Sequence, residues 1–313
     1  MKNLKIKWVK ILGVSLILIS SFSTNAQDNN NVSLKRGDVE VQVKKYPKKV
    51  LVFDLSVLET FQELDIPVAA VPNSLPKHLD KYNSNQYVKL GSLTKPDIKA
   101  IQEFQPDLII TAGRQGSYYD SLAMIAPTVT FNVNNDDFWV SFQENVMDVA
   151  RLYDKEDLAK QKLDALKKKA ERIQKESAKD SKKAVTTLYV KGKFMPNGSG
   201  SRFGFVNDAL GVKAAYVESP ESKNAKKGEK PTAPSMSEIN PDYLFIIDRE
   251  TAINGEVKEL SAILNDDVRN TNAFKNNKIF IVPGQIWYLA GSGLLSVDMK
   301  MTDIGEKLYC IKF

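Results

Sequence analysis

The sequence predicts an α/β protein of two similar wound lobes joined by one long helix, and three observations predict it. Gln105-Pro106-Asp107-Leu108-Ile109-Ile110 and Asn240-Pro241-Asp242-Tyr243-Leu244-Phe245-Ile246-Ile247 repeat one pattern in the two halves. In each, Pro-Asp opens an apolar run too short for a helix, which reads as a buried parallel strand. A strand–helix–strand unit stands ahead of each repeat, and a single amphipathic stretch separates the halves.

Val39-Glu40-Val41-Gln42-Val43 alternates as a half-exposed strand after the polar leader Gln27 to Asn31. Lys49 to Asp54 then reads as a strand, Leu55 to Leu64 as a helix by its apolar spacing, and Ile66 to Val71 as a strand returning beside the first. The second lobe repeats the plan with Val185 to Val190 as a strand and Phe203 to Leu210 as a short helix. Gly211 closes that helix, where a left-handed cap is expected, and Val212 to Val217 returns as a strand.

Between the lobes, Ala159, Leu163, Leu166, Ala170 and Ile173 recur at steps of four and three, with lysines and acids on the other faces. This predicts one helix over Asp154 to Ser177, with Asp154 as N-cap, acids in the first turn and lysines later. At 1.5 Å per residue it is roughly 35 Å long, enough to bridge both lobes. The expected organisation is a signal over 1–26, an N-terminal lobe over 27–150, the connecting helix within 151–180, and a C-terminal lobe over 181–313.

The signal is read from Lys2, Lys5, Lys7 and Lys10 ahead of the apolar stretch Ile11 to Ile19, then small residues up to Ala26. Cleavage is expected after Ala26. The residue directly after that point is Gln27 and not a cysteine, so an exported, periplasmic chain without a lipid anchor is expected. Cleavage lowers the formal charge from +6 to +2, which removes the electrostatic case for nucleic acid. The one cysteine, Cys310, cannot form an intramolecular disulfide and is expected to be structural. The one histidine, His78, excludes a multi-histidine zinc site and any Ser-His-Asp triad built without it.

The chemistry-bearing residues gather at strand ends. Arg114 and Arg249 each stand eight residues after the proline of their repeat, at the carboxyl edge where open α/β sheets bind ligands. Two such cations, one per lobe, point to a cleft for an anion. Asn197-Gly198-Ser199-Gly200-Ser201-Arg202-Phe203-Gly204 carries Arg202 between a strand and a helix; its glycine spacing fits neither the phosphate-loop nor the dinucleotide pattern. Pro283 to Gly291 follows the strand Lys278 to Val282 and offers Trp287 and Tyr288, residues that taken alone are more often core. The lysine- and serine-rich loop Ser219 to Lys230 has no apolar period and is expected to be mobile.

Taken together, Gly113-Arg114-Gln115, Ser201-Arg202-Phe203-Gly204-Phe205, Asn240 to Arg249 and Trp287-Tyr288-Leu289-Ala290 resemble the helical-spine (class III) substrate-binding proteins of ABC importers. The resemblance is strongest to the catecholate-siderophore binders of the enterochelin-uptake type. It implies that Arg114, Arg202 and Arg249 converge on a ferric catecholate siderophore, that Tyr288 ligates Fe(III) as phenolate, and that Trp287 lies beside the ligand. It further implies delivery to an inner-membrane ABC permease by a monomer that has no cofactor of its own and performs no catalysis. Hard ferric iron suits oxygen donors, and the anionic complex suits planar guanidinium groups.

One position departs from the family. The histidine expected as a second iron ligand is replaced by Lys227, next to Gly228. Either Lys227 contacts the anionic complex or the loop stays clear of it; the iron then keeps a water or takes a donor from a fuller siderophore. The usual acidic docking position of the first lobe is Lys99, with Asp97 and Glu103 nearby, and Glu238 is the nearest acid in the second. The competing readings are a binder of haem or a corrinoid, which should not need three converging arginines, and a secreted α/β enzyme. The latter is disfavoured by the missing Gly-x-Ser-x-Gly elbow and nucleotide loop.

Overall fold

The computed structural model describes residues 30–37, 39–221, 233–256 and 258–313. The signal segment 1–26 and Lys227, with most of its loop, lie outside the described residues.

In the first lobe, Val50–Val52 pairs in parallel with Ala70–Val71 on one side and Leu108–Thr111 on the other. Val88–Lys89 and Thr128–Thr130 extend the sheet at its two edges. The chain therefore winds outward in one direction and then in the other, and the winding reverses between Val50–Val52 and Leu108–Thr111. Ligands favour the crevice at such a switch point. The predicted return strand over 66–71 shortens to its last two residues, because only Ala70–Val71 reaches the ladder.

The second sheet repeats the device. Lys183–Val190 pairs in parallel with Tyr243–Asp248, which pairs with Ile279–Val282; the short Lys213–Ala214 strand adds at the start of Lys183–Val190. Lys193–Asn197 folds back antiparallel on the far side. Gly211 takes φ +70°, as the predicted cap requires.

The Pro-Asp repeat has a structural cause. The Asp107 carboxylate accepts hydrogen bonds from the backbone N–H groups of Lys48 and Lys49, both at 2.8 Å, and the Asp242 carboxylate accepts from Lys183 N–H at 2.9 Å. In both halves the aspartate ties the amino end of its strand to the start of the neighbouring one. This sets the register that carries Arg114 and Arg249 to equivalent edges.

The connecting helix runs over Glu156–Ser177, and its predicted stripe of Ala159, Leu163, Leu166, Ala170 and Ile173 is buried. Each such leucine contributes about 1.5–3 kcal/mol by leaving water. The start differs from expectation. Asp154 is not the N-cap: it sits at φ +51° and its carboxylate takes Lys45 Nζ at 2.5 Å and the Tyr46 hydroxyl. Lys155 occupies the cap position without a side-chain bond.

Two helices absent from the sequence reading complete the base of the cleft, Phe138–Arg151 and Leu294–Tyr309. The final helix packs against both the connecting helix and Leu55–Glu63 of the first lobe. A polar seam fixes it there: Glu59, fully buried, accepts from Ser296 N–H at 3.0 Å and pairs with His78 Nε2 at 2.8 Å. Cys310, expected to be structural, is instead exposed at the C-cap of this helix. A hairpin of Asn31–Arg36 with Val39–Lys44 precedes the first lobe.

Candidate functional site

The turn Gly113–Tyr118 begins directly after the strand Leu108–Thr111, so Arg114 leaves the carboxyl edge of the first sheet. Gln115, fully buried, closes this turn by accepting from Ala112 N–H at 2.8 Å and donating to the Leu93 carbonyl. Arg249 opens the helix that follows Tyr243–Asp248 in the second sheet, with Asp248 as its N-cap. Arg202 comes from the glycine-rich turn, whose glycines have packing reasons. A Cβ on Gly198 would lie 2.4 Å from the Tyr216 carbonyl oxygen, and Gly200 N–H donates to Asp208 at 2.7 Å.

All three guanidinium groups meet at Tyr288. Arg114 donates to its carbonyl oxygen at 2.6 Å and to that of Leu289 at 3.0 Å. Arg202 donates to the same Tyr288 carbonyl at 2.7 Å. Arg249 Nε donates to the Tyr288 hydroxyl at 3.1 Å. Their Cζ atoms stand 5.8, 5.0 and 5.9 Å from the Tyr288 ring centroid, in the order 114, 202, 249. The residue sits in a widened, π-type helical turn, Gln285–Leu289, which exposes carbonyl groups toward both lobes.

A cavity of about 500 Å³ opens beside this cluster, between the lobes. That volume suits a drug-sized guest. Arg114, Arg202 and Trp287 line it, with the Phe138, Phe203 and Phe205 rings. Arg249 and the Tyr288 side chain stand outside that lining: they bond to each other, and Phe203, which does line the cavity, stacks on Tyr288 at 6.2 Å.

The electrostatics of the cavity are positive. No carboxylate of the described residues forms an ion pair with Arg114, Arg202 or Arg249. Burial pushes the Arg114 guanidinium down from its ordinary range, against the raising effects of Asp54 and Tyr288. Arg202 is exposed along its flank, yet desolvation of its head group and then the Arg114 charge both push it down. Two acids also line the cavity: Asp208, which accepts from Gly200 N–H, and Asp54, which follows the strand Val50–Val52 and caps the next helix through Ser56 N–H at 2.8 Å. Burial raises the Asp54 carboxyl to about 6, against the lowering influence of its backbone bonds and of Arg114. A site that holds two repelling guanidinium groups with no ion-paired carboxylate among the described residues favours an anionic guest.

Asp54 and Lys300 are among the lining residues that escaped the sequence reading. Asp54 carries the same signal as Arg114, a charged residue at the end of a buried strand. Lys300 lies on the buried stripe of the final helix with Val297, Met301 and Ile304, where its charge is camouflaged by the apolar period around it.

Residues 50–286 match the profile of the periplasmic binding protein family. The chain belongs to that family. It is 32% identical over 310 residues to the petrobactin-binding protein YclQ of Bacillus subtilis, covering 94% of this chain and 96% of that one. The crystal structure of YclQ superposes with a TM-score of 0.80 over 89% of this chain and 99% of that chain. The ferric-anguibactin-binding protein FatB of Vibrio anguillarum is 30% identical over 269 residues, 84% of this chain and 83% of FatB. The periplasmic catecholate-siderophore binding protein VctP of Vibrio cholerae is 25% identical, with a TM-score of 0.79 over 88% of this chain and 99% of that one. The two-lobe fold with a helical connection is thus that of the family the sequence motifs resembled.

Proposed function

We propose that this protein captures a ferric siderophore of the catecholate class in the cleft between its lobes and hands it to an inner-membrane ABC permease. The observation that carries the reading is the meeting of Arg114 and Arg202, from opposite lobes, on one carbonyl oxygen beside a positively charged cavity. Guanidinium groups are suited to catecholate and carboxylate oxygens because their planar fork offers several donors at once. The relatives named for petrobactin, ferric anguibactin and catecholate siderophores support this ligand class.

In this reading Arg114, Arg202 and Arg249 pair with the oxyanions of the complex, and Tyr288 supplies a phenolate to iron after parting from Arg249. Trp287, buried and on the cavity wall, packs beside the chromophore. The siderophore brings the iron with its own donors, so the protein acts as a carrier and needs no cofactor or catalytic group. It acts as an exported monomer, in the periplasm.

Titration with preformed ferric catecholates of different denticity, followed by tryptophan emission, tests this. With Trp139→Phe as background, Trp287 is the reporting indole of the processed chain. Saturable quenching by a ferric catecholate is expected; quenching by haem with none by any ferric catecholate would replace the reading with haem binding.

A further inference from the structure

The final helix buries a lysine where packing alone calls for an apolar residue. Lys300 is 5% exposed and lines the cavity that Arg114 and Arg202 also line. Its amine sits 3.8 Å from the Phe205 ring centroid, 5.2 Å from that of Trp287 and 5.8 Å from that of Phe138. Among the described residues it has neither a carboxylate within ion-pair distance nor a hydrogen-bond acceptor. Aromatic faces attract a cation but accept no strong hydrogen bond, so the three donors of the ammonium have the cavity as their outlet.

We propose that Lys300 is a ligand-binding residue, whose ammonium takes an oxyanion of the guest, a catecholate or carboxylate oxygen, at the floor of the cleft. This rests on the anionic-siderophore reading and adds a residue from the final helix to the arginines of the two lobes. The charged groups around it fit that role. Glu59, from the first helix, is occupied by His78 and by Ser296 N–H. Asp54 accepts from the N–H groups of Ser56 and Val57, and Asp208, across the cavity, accepts from Gly200 N–H and Ser199. Arg114 and Arg202 add like charge at the mouth. Burial pushes the Lys300 amine down to about 7, against the raising effect of Glu59. Near neutral pH the group therefore stands between its two forms, and an arriving oxyanion selects the charged one.

The test compares wild type with Lys300→Met by equilibrium binding of two probes: the ferric complex of a synthetic bis-catecholate with a free carboxylate, and its methyl ester. Binding is measured from about pH 6.5 to 8.5. Wild type is expected to weaken by roughly tenfold across that range as the free lysine loses its proton. Lys300→Met should bind about tenfold more weakly at the acid end and show a flatter profile. Lys300→Gln, which keeps a polar tip without the charge, gives the same comparison if the methionine variant folds poorly. Wild-type affinity and the wild-type pH profile in both variants would overturn this assignment while leaving the siderophore reading intact. Failure of the wild type to bind either probe would remove that reading and this inference with it.

Discussion

Arg114 and Arg202, which belong to different lobes, donate to the same carbonyl oxygen of Tyr288, at 2.6 and 2.7 Å. Two like charges share one neutral acceptor, and neither has a carboxylate partner among the described residues. Such an arrangement is stabilised by whatever anion enters between them, so the cleft carries its specificity for charge before any ligand arrives.

Tyr288→Phe removes the hydroxyl that Arg249 now holds at 3.1 Å. Affinity for a tetradentate ferric catecholate is expected to fall by less than about tenfold. The visible band of the bound complex should shift, because a phenolate leaves the iron. An identical spectrum in wild type and mutant would show that the phenol does not reach the metal.

Lys300→Met should stabilise the protein near neutral pH. The amine is depressed to about 7 in the fold from an unfolded value of about 10.4. The folded state thus binds fewer protons between those values, and stability is lost as pH falls through that window. Replacing such a buried charge by an apolar side chain is expected to gain about 1–4 kcal/mol at pH 7. The gap between the two proteins should close as pH rises toward the ordinary lysine range. Chemical unfolding at several pH values measures it; a gap independent of pH would contradict the placement of this amine.

Asp107→Ala leaves the N–H groups of Lys48 and Lys49 without their present acceptor. Asp242→Ala does the same to Lys183. A loss of about 1–2 kcal/mol is expected for the first and about 1 for the second. Asp107→Asn, which keeps an acceptor oxygen, should recover part of the loss in thermal unfolding.

Gly293→Ala introduces a Cβ 2.3 Å from the Ser56 carbonyl oxygen and 2.8 Å from the Glu59 Cβ. The final helix would have to move off the first lobe, at a cost of about 1–3 kcal/mol. The melting temperature should fall by several degrees. An unchanged value would mean that the seam between Glu59 and Ser296 yields without strain.

What was legible in the sequence follows from what repeats. The two Pro-Asp strands, the apolar stripe of the connecting helix and the arginines at strand ends are local patterns, each readable within a few residues. Asp154 misled because an acid two residues before the helix looks like a cap, whereas Lys45 and Tyr46, distant in sequence, claim its carboxylate. The Asn31–Arg36 strand went unread although Val32 and Leu34 are buried at a period of two, since polar residues dominate that segment. The rings around Lys300 come from three separate elements, and only the folded chain brings them together. The carbonyl of Tyr288 is invisible in principle: every residue has one, and only the widened π turn at 285–289 aims this one at two arginines.

The most direct test is the dissociation constant of one ferric catecholate for wild type and for the Arg114→Ala, Arg202→Ala double variant at fixed low ionic strength. A loss of about a hundredfold or more is expected, since two charge-assisted bonds at roughly 1.5–3 kcal/mol each are removed, together with a weaker dependence on salt. Equal affinity in the two proteins would contradict it.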